Sequence, residues 1–280
     1  MIDSFDGNQL IKNKINSKTD VLAAGKMGMS EYQGILGLIR NNITEYAVEL
    51  LHVNAGVYPN TAEAFNQFKN IYIEAVKKMN VLGVWIKISN DLYADDIFLN
   101  ELECTCDRVH TRSLEPFYHE DPWSQALEGK KVLVVSPFQR SIEEQYKKRE
   151  LIWNNPKVLP EFDLDTLKTP FSAALLDKPV FPTWEDGLNE FKKKIENKKP
   201  DFVIVGAGAW SLPIVSFCHD NGIDAIHMGG GTQILFGIKG GRWDNHDVIS
   251  TFYNEHWVRP AKDERPKNMD RMKIDNGDYW

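Results

Sequence analysis

At 280 residues, with 42% hydrophobic residues and a formal net charge of −7, the chain carries enough apolar material for a real core and is read as folded rather than disordered. The acidic balance argues against nonspecific nucleic-acid binding, which needs clustered Lys and Arg, and the basic runs at 192–194 and 198–199 are interleaved with Glu190 and Glu196 as on a solvated helix face. No stretch approaches the roughly 18 consecutive apolar residues of a membrane span, and the opening MIDSFDGNQL lacks the basic-then-apolar order of a signal peptide, so a soluble, intracellular, cytoplasmic protein is expected.

Three cysteines, Cys104, Cys106 and Cys218, build no disulfide framework and suit a reducing compartment; the Cys104/Cys106 pair lacks the second pair of a zinc site. The glycosylation sequon at Asn42, Ile43 and Thr44 is set aside for want of a secretory signal.

In chain order, a strand is predicted at 20–24, turning through Gly25 to Gly28 into a helix over 30–41. An amphipathic helix over 61–79, with Thr61 as N-cap and Glu63 in its first turn, leads to a strand at 81–88. Residues 90–123 mix acidic and aromatic side chains with proline breaks and stay unassigned. KKVLVVSPF reads as a buried strand, and SIEEQYKKRELIW as a helix with acidic residues first and basic residues later, matching the macrodipole. After a proline-bearing stretch at 155–182 come a helix over 183–197 and a strand from 201, and beyond Trp243 a polar tail is expected to wrap the surface. Alternation of this kind predicts an α/β fold, a Rossmann-like doubly wound, mostly parallel sheet. One domain over 1–280 is expected, with possible sub-lobes 1–129 and 130–280.

Residues 201–243 read as strand, glycine turn, helix, strand and second glycine turn. Gly206 and Gly208 allow a sharp entry into a helix whose first N–H groups favour an anion, so either a tight turn or a phosphate near Gly208 to Trp210 explains them. The third glycine of a dinucleotide fingerprint is replaced by Ser211, and the next strand ends in His227 rather than an acid, which disfavours NAD. The run Gly229, Gly230, Gly231 gives up side-chain packing and points to close ligand approach, with Thr232 and Gln233 offering hydrogen bonds and Lys239 and Arg242 adding charge for a diphosphate. A third turn carries Ser136, Arg140 and Ser141: Ser141 as a helix cap, Arg140 as a bidentate phosphate donor.

In the first turn, Gly28 precedes Glu31, whose carboxylate either satisfies the helix dipole or serves as a general base or metal ligand. Asp107, His110, Arg112 and Glu115 cluster ionisable groups, either a paired acid and base or an ordinary surface. The D-x-D at Asp163 and Asp165 does not follow a buried strand and reads as a loop or helix cap. Of the eight tryptophans and nine tyrosines, Trp210 and Trp243 abut glycine turns and are the candidates for sugar stacking.

GKMGMSE, VGAGAWS and IHMGGGTQ, with the blocks LEPFY, PWSQALEGKKVLVVSPF, SIEEQY, LPEF and FGIKGGRW, resemble the GT-D-type glycosyltransferases and their relatives in bacterial polysaccharide clusters and large DNA viruses. The resemblance covers most of the chain and implies a GT-D-like fold, glycan biosynthesis, and transfer of a sugar from a nucleotide-diphosphate donor, a UDP-sugar by guess, to a glycan hydroxyl, with Mn or Mg as the implied divalent cation. Glu31 matches the family's first-turn glutamate and Gly206, Gly208 and Gly229 its glycines, whereas Met29 stands where an aspartate is expected. Glu31 is then the first choice of base and Asp107 the second, while Arg140, Lys239 and Arg242 are added from charge and placement. A nicotinamide-dependent oxidoreductase and a noncatalytic nucleotide- or glycan-binding protein are the competing readings.

Overall fold

Along each central strand, successive side chains enter two different cores. Ala23, Leu133, Val135, Val203 and Val205 pack on one side, and Ala24, Val132, Val134, Phe202 and Ile204 on the other, all of them essentially buried. A strand covered on both faces has no room for a polar side, which is why these segments read as continuous apolar runs. The computed structural model describes residues 1–40, 45–172, 179–265 and 279–280; the sequon at Asn42 and the expected helix end at Asn41 lie outside them.

Seven parallel strands form one sheet in the order β5-β2-β1-β9-β8-β6-β7. They are β1 (Ala23–Lys26), β2 (Val81–Val84), β5 (Asp107–His110), β6 (Lys131–Ser136), β7 (Asp163–Lys168), β8 (Phe202–Val205) and β9 (Asp224–His227). A small antiparallel hairpin, β3 (Lys87–Ser89) and β4 (Leu92–Tyr93), stands apart. Strands from both sides of Gly129 meet where β1 pairs with β9, Ala23 opposite Ala225. The α/β, doubly wound parallel architecture expected from the alternation is the one observed.

Nine α-helices surround the sheet among the described residues: α1 (Ser4–Ser17), α2 (Met29–Ile39), α3 (Glu45–Val48), α4 (Ala62–Lys77), α5 (Ala94–Glu101), α6 (Gln139–Tyr146), α7 (Trp184–Lys198), α8 (Ser211–Asp220) and α9 (Gly231–Leu235). Helices α2, α4, α7 and α8 cover the first core; α1, α6 and α9 cover the second. Thr61 caps α4 through its hydroxyl and the Ala64 N–H, as expected, and Thr183 with Asp186 forms a capping box on α7.

Several expectations change. The strand predicted at 81–88 breaks after Val84, because the buried Asp95 carboxylate accepts from the N–H groups of Trp85 and Ile86 at 2.8 and 3.1 Å and draws the chain out of the sheet. The first strand begins and ends later than predicted, so that Lys26 is its last residue. Asp163 and Asp165, read as a loop or cap, open the edge strand β7 instead, and Asp165 is paired with Lys198 at 2.8 Å. Nor is the tail beyond Trp243 merely a polar wrap: Ile249 and Trp257 are buried in the second core. Among the described residues no helix is long and apolar enough to cross a membrane.

Candidate functional site

Strands β1 and β8 lead into α2 and α8 on one face, whereas β9 and β6 lead into α9 and α6 on the other. Chain segments leaving neighbouring strands in opposite directions open a crevice at the strands' C-terminal ends, the usual ligand site of such sheets. A cleft of about 800 Å³ lies there, lined by strand-end residues Lys26, Ser136 and His227 together with Trp85, Thr169 and Gly206, which directly follow strands.

The two late glycine turns form part of its wall. A Cβ on Gly206 would stand 2.8 Å from Thr232 Oγ1 and 3.0 Å from Gly229 O, so the turns interlock only because both are bare. Gly208 adopts φ +56° with open space over its Cα, and Gly229 adopts φ +58°, left-handed conformations that favour glycine. Gly208 thereby delivers the chain into α8 with backbone rather than side chain toward the cleft. Gly230 is roofed by Trp243, whose Cζ2 would be 2.7 Å from an added Cβ.

His227 is buried against this turn, its Nδ1 3.0 Å from Val205 O and 3.2 Å from the Gly229 nitrogen. Burial pushes its pKa down to about 4, the Lys26 charge adding to the fall, so the ring is neutral at physiological pH. Gln233 spends its amide N–H groups on Lys239 O and Tyr279 O at 3.0 and 2.9 Å, which leaves Oε1 as a buried acceptor without a partner among the described residues. Thr169 Oγ1 and Asn54 Oδ1 are likewise buried and unpaired, and all three residues line the cleft. Buried polar atoms of this kind cost stability unless a ligand or water meets them.

On the other wall, Glu31 occupies the first turn of α2 behind Gly28, folded back so closely that a side chain at Gly28 would collide with its carboxylate. Burial raises its pKa, with its own backbone N–H opposing the shift. Tyr72 stands beside it, its hydroxyl 3.4 Å from the Gly28 nitrogen and its pKa raised by burial and by the Glu31 charge. Lys26 Nζ, between the walls, is 3.2 Å from Glu115 Oε1 and 5.9 Å from the centre of the Trp85 ring. That ring is pinned by its Nε1–H to Met27 O at 2.9 Å.

Of the residues singled out from the sequence, Gly28, Glu31, Ser136, Gly206, Gly208, His227, Gly229, Gly230, Thr232, Gln233, Arg242 and Trp243 line the cleft. Others lie elsewhere. Asp107 begins β5 at the opposite end of the sheet, where Lys14 meets it at 3.6 Å, so the second choice of base cannot reach the strand ends. Arg140 is exposed on α6, bound to Glu144 at 2.9 Å and Asp263 at 3.1 Å. Ser141 does not cap that helix; it sits inside it, giving its hydroxyl hydrogen to Glu264 and accepting from the Ala261 N–H at 2.8 Å. Lys239 lays its ammonium over the Tyr253 ring, 5.0 Å from the centroid. Trp210 is fully buried, stacked on Trp184 with its Nε1–H on the Trp184 carbonyl at 2.9 Å, and offers no platform to a sugar.

Lys26, Trp85 and Thr169 line the cleft without having been assigned to a site from the sequence, and of the ionisable cluster Asp107, His110, Arg112 and Glu115 the member that lines it is Glu115. Lys26 is the last residue of β1, a placement readable only once that strand is set two residues later than its apolar pattern suggests. A divalent cation held by protein alone needs several converging donors, whereas one that bridges a diphosphate needs one or two carboxylates. Among the described residues no three His, Cys, Asp or Glu side chains gather to hold one. The cleft's Glu115 faces an ammonium and Glu31 is folded back against Gly28, so this donor set does not fit a Mn or Mg held by protein alone.

No family model matches the chain, and no curated protein matches it. Among solved structures, a selenomethionine-substituted form of domain of unknown function 1792 is similar at 15% identity and a TM-score of 0.49, over 81% of this chain and 77% of that one. A second structure, described as showing that the same domain has a distinct glycosyltransferase fold, is similar at 14% identity and a TM-score of 0.47, over 81% and 82%.

Proposed function

We propose that the protein is a glycosyltransferase taking its sugar from a nucleotide-diphosphate donor. The observation that carries the reading is the pair of interlocked glycine turns at the C-terminal ends of β8 and β9, which present bare backbone and, at Gly208, the start of the 3-10 turn that leads into α8 to a cleft of about 800 Å³. Backbone N–H groups at a helix start favour phosphate, and the cleft is large enough for a nucleotide sugar. The unpaired acceptors of Gln233 and Asn54 and the Thr169 hydroxyl suit a ligand rich in hydroxyl and amide hydrogens. Arg242, on the Trp243 and Tyr279 rings, adds positive charge at the same wall.

In the reaction the acceptor hydroxyl oxygen bonds to the anomeric carbon while the bond from that carbon to the diphosphate oxygen breaks, and the nucleoside diphosphate leaves with the electron pair. Glu31 takes the hydroxyl proton. A carboxylate whose pKa is raised by burial is a stronger base than a solvated one, which suits it to the role. Fixed amides at the glycine turns oppose the charge that grows on the diphosphate.

The nicotinamide reading has less to stand on, because β9 ends in His227, whose Nδ1 is occupied within the turn, where an acid would take a ribose hydroxyl. A thermal-shift panel of UDP, GDP, CMP and NAD, followed by turnover of the corresponding nucleotide sugars, tests the proposal. Stabilisation by a nucleoside diphosphate and slow hydrolysis of its sugar, abolished in Glu31→Gln, are expected. Stabilisation by NAD alone overturns the class; equal hydrolysis by Glu31→Gln overturns the base assignment, and binding with no turnover returns the noncatalytic reading.

A further inference from the structure

A leaving diphosphate needs positive charge, supplied in phosphate chemistry either by a divalent metal or by Lys and Arg side chains. Among the described residues the cleft contains one ammonium, on a strand end. Lys26 closes β1 at the middle of the sheet, between β2 and β9, and its side chain is about one-fifth exposed. Its Cε would be 3.8 Å from a Cβ on Gly229, so the aliphatic stem runs beside the bare second glycine turn. Glu115 Oε1 receives one of the ammonium's three hydrogens at 3.2 Å, leaving the others to a ligand. Glu115 itself is wedged under Gly231, where an added Cβ would be 3.3 Å from its Cγ, so the pair is fixed from both sides.

We propose that Lys26, oriented by Glu115, is the cation that meets the donor's diphosphate, so that a nucleoside diphosphate binds this cleft without a divalent metal. This rests on the glycosyltransferase reading above. The same pair works against a metal: the carboxylate best placed to hold one is neutralised by the ammonium, which would repel a cation bound there. The neighbouring His227 is neutral and supplies no competing charge. Met29, exposed at the first position of α2, brings no carboxylate to the site.

Calorimetric titration of the whole chain with UDP, GDP, ADP and CDP, each in EDTA and again with manganese chloride, decides the matter. At least one is expected to bind in EDTA with an affinity within about twofold of that in manganese, and Lys26→Met to weaken it by about tenfold or more. Glu115→Gln frees the ammonium and is expected to bind as tightly as the wild type or tighter, whereas a carboxylate holding a metal would lose binding on the same change. The double variant Lys26→Met/Glu115→Gln, which leaves no unpaired carboxylate to destabilise the fold, is expected to bind as weakly as Lys26→Met. Binding only with manganese, or loss in Glu115→Gln with retention in Lys26→Met, overturns the assignment and leaves the glycosyltransferase reading standing. Binding of none of the four under either condition overturns that reading and this one with it.

Discussion

Helices α6 and α8 begin alike and end up different. Each follows a central strand, β6 buried from Val132 to Ser136 and β8 buried throughout, but α8 is entered through a 3-10 turn at Gly208–Trp210 whose Gly208 carbonyl accepts from the Ser211 N–H. At α6 the chain fills the place itself: Glu264 accepts from the N–H groups of Arg140 at 2.6 Å and Ser141 at 3.3 Å and from the Ser141 hydroxyl. At the turn into α8 the Ser211 hydroxyl accepts from the Ala207 N–H at 3.0 Å, no carboxylate among the described residues reaches the turn, and a Cβ on Gly208 would stand in open space. A strand-to-helix turn is therefore open to a ligand only where no carboxylate of the same chain has reached it first. Arg140 misleads for this reason, since its positive charge at a helix start answers Asp263 and Glu144 rather than a phosphate.

The contrast is sharpened most by what lies beneath the open turn. Trp210 faces inward, so Trp210→Ala is expected to cost about 3–5 kcal/mol of stability as a core cavity, read by urea denaturation; a loss near zero would mean that the ring faces the cleft. Next, Glu264→Ala leaves two N–H groups and a hydroxyl at α6 without their acceptor and is expected to cost about 1–3 kcal/mol, with nucleotide affinity unchanged. Loss of affinity without loss of stability would reverse the roles of the two helix starts. Gly208→Ala, placing a side chain at φ +56° in open space, is expected to cost about 1–2 kcal/mol from backbone strain alone, measured the same way.

A smaller effect is expected from Glu31→Gln. Because burial raises the Glu31 pKa above 4.5 in the folded protein, its stabilising contribution is complete below the unfolded value and is lost as pH rises through the folded one. The variant should therefore melt a few degrees above wild type at pH 8 (roughly, for a carboxylate relieved of ionising), and the difference should shrink toward pH 4.5. Turnover of the wild type should rise with pH over the same window, as the base form is populated. A melting difference independent of pH would place the Glu31 carboxylate in solvent. Smallest of all, Arg140→Ala is expected to leave both melting temperature and nucleotide affinity unchanged, since its ion pairs are exposed; a clear loss of affinity would put α6 back at the ligand.

Local chemistry determined the central strands, because a segment buried on both faces is apolar without interruption, as over Phe202–Val205 and from Val132 to Val135 within β6. It also determined the Thr61 cap and the two late glycine turns, whose backbone demands are met within a few residues. The edge strands β5 and β7 stayed hidden, since a strand paired on one side only tolerates Asp107, Asp163 and Asp165 and shows no continuous apolar run. Tertiary structure alone decided which charges face the cleft. Asp107 and Glu115 lie eight positions apart, yet one starts a strand at the far end of the sheet and the other ends up against Lys26. Glu264 reaches α6 across more than a hundred positions of chain, and Trp210 and Trp243, both beside glycine turns, point one into the core and the other onto the cleft wall. Spacing in the chain carries backbone geometry; the direction of a side chain is set by what packs against it, and those partners are distant in sequence.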